Sequence, residues 1–216
     1  MDAEFEQFLI NWPMSVLKDT DLATVFPNEP ARRYAAVNRA LKKKSLIRLR
    51  RSVYVIGKPF QKNLPSAYQL AHAIYGPSYI SFESALSYHQ WIPEAVYTTT
   101  CATAKRASDF DTPLGHFTYK HVPNYLCYLG VQRLGSESEA FLVAHPWKAI
   151  ADHYYVYTRN WQGLKDIHLD LRIEIEDMLE ADRTILQNLS ENYQSSKVRV
   201  FLRNILGDLN NGIKVN

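Results

Sequence analysis

The chain has 216 residues with a net charge of +3, and 46% of them are hydrophobic. This length allows one or two domains, each with a substantial core. No apolar run approaches the roughly 20 residues that cross a membrane, and the acidic residues 1–6 do not resemble a signal peptide. Two cysteines, Cys101 and Cys127, are expected to be small core side chains of a reduced protein. We therefore expect a cytoplasmic protein without a membrane partner.

Positive charge is concentrated near the beginning of the chain. Residues 1–60 carry eleven Lys or Arg against six Asp or Glu, a net of +5, whereas the remainder carries fourteen against sixteen, a net of −2. Between Glu29 and Lys58 there are ten Lys or Arg, and Glu29 is the only acid. This asymmetry predicts a polyanion-binding segment joined to a part with a different role.

The first sixty residues have the pattern of short helices followed by a hairpin. Residues 2–11 and 19–26 are predicted as two short helices, and a longer one over 28–44 is capped by Asn28, with Pro30 in its first turn. At 100° per residue, the apolar residues of this helix fall on one side and the cationic residues on the opposite side. The predicted inward seam consists of Tyr34, Val37 and Leu41. The opposite side carries Arg32, Ala36, Arg39 and Lys43.

The segment 46–56 alternates between apolar and cationic residues. Ile47 and Leu49 are predicted to point one way and Arg48 and Arg50 the other, before a turn at residues 51–52. A helix with small and cationic residues followed by a cationic hairpin is typical of a winged helix-turn-helix that enters a major groove. The alternative is a basic face that is only solvated. The predicted DNA-contacting residues are Arg32, Arg33, Ala36, Arg39, Lys43, Arg48, Arg50 and Arg51.

A linker-like stretch up to Pro65 predicts a domain boundary near residue 60, which divides the chain into 1–60 and 61–216. The second part is predicted as a mixed α/β domain that ends in helices, so the whole chain falls in the α+β class. The predicted helices cover residues 66–75, 82–90, 147–157, 170–189 and 196–206. The predicted strands cover residues 96–101, 115–121, 126–131 and 140–144.

Catalysis is not expected from this sequence. His116 and His121 lie five apart on a predicted strand and would point to opposite faces. The pair Asp152 and His153 matches no metal-ligand spacing. No glycine-rich phosphate loop or nucleophile signature is present, so neither a metal nor another cofactor is predicted.

Three segments, residues 46–55, 79–89 and 110–119, resemble the AbiEi-type antitoxins of type IV toxin–antitoxin systems. In order and spacing the likeness extends to about residue 155. It implies a regulator whose N-terminal winged helix binds DNA and represses its own operon. It also implies a C-terminal domain that opposes a nucleotidyltransferase-like toxin without needing a stable complex with it.

The sequence departs from the family pattern at three places. Ser45 and Ser52 stand where the family usually has glycine, so both turns must use a non-glycine geometry. The family's Pro-Glu-Lys-Ala-Leu pattern is replaced by Pro-Trp-Lys-Ala-Ile at residues 146–150. By resemblance, the retained antitoxin positions are Lys148 and Asp152; the alternative is a solvated Lys148 and a buried hydrogen-bond acceptor at Asp152.

Two further readings remain open. The C-terminal domain could sense a ligand or only dimerise, or the chain could be a nucleic-acid-processing enzyme with a winged-helix targeting arm. One winged helix buries only about 600–1,000 Å² on DNA. We therefore expect at least two copies on an inverted-repeat operator, where a homodimer would match the symmetry of the site. We also expect the two halves to have separable functions.

Overall fold

The computed structural model describes residues 3–60, 65–123, 128–136 and 140–211 of a mixed α+β protein. Its first part contains α1 (Ala3–Asn11), β1 (Val16–Lys18), α2 (Asp19–Leu22), α3 (Pro30–Lys42), β2 (Leu46–Arg50) and β3 (Val53–Ile56). The predicted helices and hairpin are confirmed, although α2 is shorter than expected. Strand β1 was not predicted, because three residues are too few to show an alternating pattern. The three strands form an antiparallel sheet in the order β1-β3-β2.

This small sheet lies between two hydrophobic cores. On one face, Leu46, Tyr54 and Ile56 pack with the buried side chains of α1, α2 and α3. On the other face, Leu49, Val53 and Val55 belong to the core of the C-terminal part. The packing is therefore continuous across the predicted boundary at residue 60. A fragment ending there would expose three apolar side chains that the complete chain buries.

The C-terminal part is built on a six-stranded mixed sheet. Its elements are α4 (Ala67–Tyr75), β4 (Ser78–Ile80), α5 (Phe82–Tyr88), β5 (Thr98–Thr103), β6 (Ser108–Thr112), β7 (Gly115–His121), β8 (Val131–Leu134) and β9 (Phe141–Ala144). The strand order is β6-β7-β5-β4-β9-β8, in which the pairs β4–β9 and β5–β7 are parallel. Strands β4 and β6 were not predicted, and β5 begins two residues later than expected. The predicted strand over 126–131 falls partly outside the described residues; residues 128–130 form a turn and β8 begins at Val131.

Five helices complete the fold: α6 (Pro146–Tyr157), α7 (Leu164–Leu171), α8 (Ile175–Glu180), α9 (Arg183–Asn192) and α10 (Ser196–Asn211). The prediction of one helix over 170–189 is wrong. The chain turns at Arg172, which has a left-handed φ of 54°, and again before α9. There the Asp182 side chain accepts a hydrogen bond from the Thr184 amide at 2.8 Å and caps the new helix. Within the described ranges, no helix combines the length and the apolar character needed to cross a membrane.

Candidate nucleic-acid interface and buried charge network

Helix α3 packs against the small sheet through small side chains. Ala36, Val37 and Ala40 are buried, whereas Tyr34 is 69% exposed. The predictions that Ala36 lies on the outer face and that Tyr34 lies on the inner one are therefore wrong. The inward seam was assigned from the largest apolar residues, but alanines let the helix backbone approach the sheet closely. Tyr34 remains outside, where its hydroxyl can bind water.

The turns that bound this region use left-handed residues without glycine. The residue with positive φ after α3 is Lys44, at 57°, so Ser45 needs no unusual geometry, whereas Ser52 at the hairpin turn has a φ of 62°. The Asp19 amide donates to the Ser52 carbonyl at 3.0 Å and ties the hairpin tip to the start of α2. Gly57 is required for a different reason, because a Cβ there would lie 1.9 Å from the Lys44 carbonyl oxygen.

Two of the predicted DNA-contacting arginines are engaged by carboxylates of this same segment. Arg32 lies 3.4 Å from Glu4 and 3.3 Å from Glu29. Arg33 is half-buried and lies 3.4 Å from Asp19. A phosphate would have to compete with these acids, so both arginines are weaker anion sites than the sequence indicates.

The remaining cations of α3 and of the turn after it are exposed. Over residues 3–60, 65–123, 128–136 and 140–211, no ion pair to a carboxylate is found for Arg39, Lys42, Lys43 or the hairpin-tip residue Arg51. Asn38 lies among them on α3 and is partly exposed. Sequence reasoning missed Tyr34 and Asn38 as surface residues. A prediction that placed the alanines of α3, rather than the tyrosine, at the centre of its buried side would have found them.

The two predicted arginines of β2, Arg48 and Arg50, lie in different surroundings. Arg48 and Arg33 line a groove of about 180 Å³ beside Tyr34, between α3 and the hairpin. The Arg48 guanidinium lies 5.9 Å from the centre of the Tyr54 ring. Arg50 is exposed after an irregularity in the β2–β3 register and lies towards the large sheet. Although burial raises the pKa of Tyr119 in β7, the Arg50 charge acts in the opposite direction.

Lys148 and Asp152 form a buried network in α6. Lys148 Nζ donates to Asp152 Oδ1 at 2.7 Å, and both residues are nearly inaccessible to solvent. Three hydroxyls donate to the same carboxylate: Tyr79 and Ser81 to Oδ2, both at 2.8 Å, and Tyr193 to Oδ1 at 2.9 Å. Burial and then the Asp152 charge raise the pKa of Tyr193 well above its usual value. The network joins the strand β4 region, α6 and the segment before α10.

This geometry describes the surroundings of both residues, which the sequence left open. Asp152 is a buried acceptor, as one alternative held, but Lys148 is not solvated. A carboxylate with three hydroxyl donors and a paired ammonium is electrostatically satisfied. Neither side chain is accessible to a partner protein. Trp147, at the departure from the family pattern, is also buried, with its ring 5.1 Å from that of Trp91.

A second polar contact in this part joins Glu83 of α5 to His153 of α6. His153 is buried, its Nε2 lies 3.2 Å from Glu83 Oε1, and its ring stacks on Trp161. Burial raises the pKa of Glu83, but the hydrogen bond with His153, a backbone hydrogen bond and the nearby charges of His153 and Arg159 together outweigh it, so the pKa lies below its usual value. Across the described parts of the chain, no group of three or more His, Cys, Asp or Glu could hold a metal ion. Cys101 is buried as expected, and Cys127 lies outside the described residues.

No protein-family model matches this sequence, and no curated protein is significantly similar to it.

Proposed function

We propose that the protein is a DNA-binding transcriptional autorepressor whose first part acts as a winged helix-turn-helix. In this proposal α2 and α3 form the helix-turn-helix, and the β2–β3 hairpin is a short wing. The observation that carries it is the exposed face of α3 beside the hairpin, where Arg39, Lys42 and Lys43 have no carboxylate partner among the residues that the structure describes. A surface of this kind attracts DNA phosphates.

The residues proposed to read bases lie on the exposed face of α3. Arg39 can donate two hydrogen bonds to guanine, and Asn38 can pair with adenine in the same bidentate way. Tyr34 adds an apolar ring with a polar tip beside them. Ala36 is excluded from this set because it is buried.

The remaining cations are proposed to hold the DNA backbone. Arg51 lies at the hairpin tip, and Arg48 lies in the groove between the hairpin and α3. Arg32 and Arg33 would join them only by leaving their carboxylate partners. Arg50, which is close to the large sheet, is proposed as the weakest contact of the set. Phosphate contacts of this kind fix orientation without selecting sequence.

We propose the antitoxin role from the resemblance of the sequence alone. The partner would be a nucleotidyltransferase-like toxin, opposed without a stable complex. Because Lys148 and Asp152 are buried, their proposed part in this role is to hold α6 against β4 and the segment before α10. A surface that acts on the toxin must then consist of other residues.

DNA binding is tested with the complete chain and the DNA upstream of its own gene. Affinity is measured over a salt series, and the protected bases are mapped by footprinting. We expect a steep fall of affinity with salt and two protected half-sites in an inverted repeat, separated by whole helical turns. Equal affinity for unrelated DNA, or a single site filled by one copy, would contradict the autorepressor.

The antitoxin role is tested by the neighbouring gene and by co-expression. We expect an adjacent nucleotidyltransferase-like reading frame, whose product stops growth. The complete chain carrying Arg39→Ala and Lys42→Ala should lose operator binding but still restore growth. If this variant loses both operator binding and the ability to restore growth, repression alone gives the protection. Complete chains are used because the small sheet is shared between both cores.

A further inference from the structure

A second cavity lies away from the α3 face proposed to read DNA. This cleft, of about 470 Å³, is bounded by the end of α3, by β2 and by the turn between β6 and β7. Its apolar walls include Leu41, Ile47, Pro113 and Leu114. A volume of this size is typical of pockets for small molecules, which are mostly apolar with a few polar groups at their edge.

The polar groups around the cleft are cations. Lys44, Arg48 and Lys58 line it, and the described residues around it include no carboxylate. The Gly57 amide donates to the Ser45 carbonyl at 2.8 Å, and the contact between Gly57 and Lys44 leaves no room for a side chain. The two chain segments that carry Lys44 and Lys58 are therefore held together at the edge of the cleft.

These two properties define the chemistry of an occupant. A ligand whose apolar part covers these walls is bound more tightly, by about 25 cal/mol per Å² of apolar surface removed from water. Three cations without an acid favour a negatively charged head. DNA would satisfy the cations but not the leucine and proline walls. We propose that this cleft binds a small amphipathic anion, with an apolar body and one carboxylate or phosphate head.

Occupancy has a consequence that rests on the proposed DNA binding. Arg48 lines both this cleft and the groove beside Tyr34 on α3. An anion that holds the Arg48 guanidinium removes it from the DNA backbone, so a saturating ligand lowers operator affinity. The cleft would then make repression responsive to a small molecule.

The test measures binding of three probes to the complete chain by calorimetry without DNA, so it stands whether or not the protein binds DNA. Octanoate and octyl phosphate should each bind at least about tenfold more tightly than octanol, a difference of 1.4 kcal/mol. The first two probes separate a carboxylate from a phosphate preference. Binding of octanol equal to that of both anions would overturn the proposal.

Matched variants locate the site. Leu114→Glu should abolish octanoate binding because it adds a negative charge beside the anion. Leu114→Gln, whose side chain is as large as that of Glu but uncharged, should retain most of the binding. Lys58→Gln should weaken octanoate severalfold, and Lys165→Gln, on an exposed position of α7, should leave it unchanged. Unaltered affinity in both Lys58→Gln and Leu114→Glu would overturn the site.

A separate experiment tests whether anion binding in the cleft lowers operator affinity. Octanoate should weaken operator binding by the parent protein and have less effect on Arg48→Gln. Octanoate that binds without changing operator affinity would overturn the coupling and leave the site itself supported.

Discussion

The exposed face of α3 and the interior of α6 use the same kind of side chain in opposite ways. Lys42 and Lys43 stand in solvent without a carboxylate partner among the described residues. Lys148 is buried and holds Asp152 at 2.7 Å, within a set of tyrosine and serine hydroxyls. An exposed cation remains free to meet an external anion. A buried cation is already paired inside its own fold and does not reach an external anion.

Residue type and spacing therefore do not show whether a charged side chain serves the fold or an external partner. Lys148 and Asp152 are four residues apart, a spacing that on a surface helix gives only a weak pair. Here the pair, on α6, is covered by Tyr79 of β4 and by Tyr193. Changes to the buried pair should therefore alter stability, whereas changes to the exposed cations should alter binding.

The largest effect is expected from breaking the buried pair. Asp152→Ala leaves the Lys148 ammonium buried without its partner, which should cost about 3–5 kcal/mol of unfolding free energy. Urea denaturation measures it, with Glu176→Gln on the exposed side of α8 as the control. Replacing both members, Lys148→Met with Asp152→Leu, should recover much of the loss. If Asp152→Ala lowered the unfolding free energy by less than about 1 kcal/mol, as expected for a surface ion pair, the buried pair would not differ from the exposed cations in its effect on stability.

Backbone packing rather than charge should limit the stability of the N-terminal part. Gly57→Ala brings a Cβ against the Lys44 carbonyl, and the displacement should cost about 1–3 kcal/mol. Gly207→Ala is the matched control, because a Cβ there meets nothing within 4 Å. Equal urea midpoints for the two variants would contradict the close approach of these segments.

Base recognition should depend on side chains that contribute nothing to folding. Asn38→Ala should reduce discrimination at one operator position by about 1–3 kcal/mol while the unfolding free energy stays at its parent value. Binding to operators with single base changes measures it, and Asn188→Ala, at an exposed position of α9, is the control. Uniform weakening on all operators would assign Asn38 to the DNA backbone instead.

The smallest effect concerns the helix that carries the buried pair. Burial, and then the nearby His89, lower the pKa of His145 from 6.5 to about 4. The His145 Nδ1 accepts from the Trp147 amide at the start of α6, which requires a neutral ring. The stabilisation is therefore complete above pH 6.5 and is lost as the pH falls towards 4.

Because His145 is only partly buried, solvent screening reduces the effect to on the order of 1 kcal/mol. Unfolding measured between pH 7 and pH 4 should show a smaller pH dependence in His145→Asn than in the parent. Asn188→Ala, at an exposed position of α9 that does not titrate, should keep the parent's dependence. Identical curves for the parent and His145→Asn would contradict the lowered pKa.

Periodicity was sufficient for the elements whose patterns are long, such as α3, α6, α10 and the β2–β3 hairpin. It failed where tertiary contacts decide. Three-residue strands such as β4 are stabilised by their neighbours on both sides, which no local pattern reveals. The break at Arg172 depends on a left-handed residue within an otherwise helical pattern.

The candidate site was predictable in composition but not in arrangement. The sequence identified the cationic segment, yet Arg32 and Arg33 are engaged by acids that lie far from them in sequence or on another helix. Likewise, the contact of Asp152 with Tyr79 and Tyr193 spans 73 and 41 residues. Such pairings arise only when the chain folds.

The central proposal, that the exposed cations of the first part bind DNA, is tested most directly by removing three of them together. Operator affinity and urea unfolding are measured for the complete chain carrying Arg39→Ala, Lys42→Ala and Arg51→Ala. We predict a loss of affinity of at least about a hundredfold, the equivalent of 2.8 kcal/mol, a shallower salt dependence and an unchanged unfolding free energy. Parent-like operator binding by this variant would contradict the proposal.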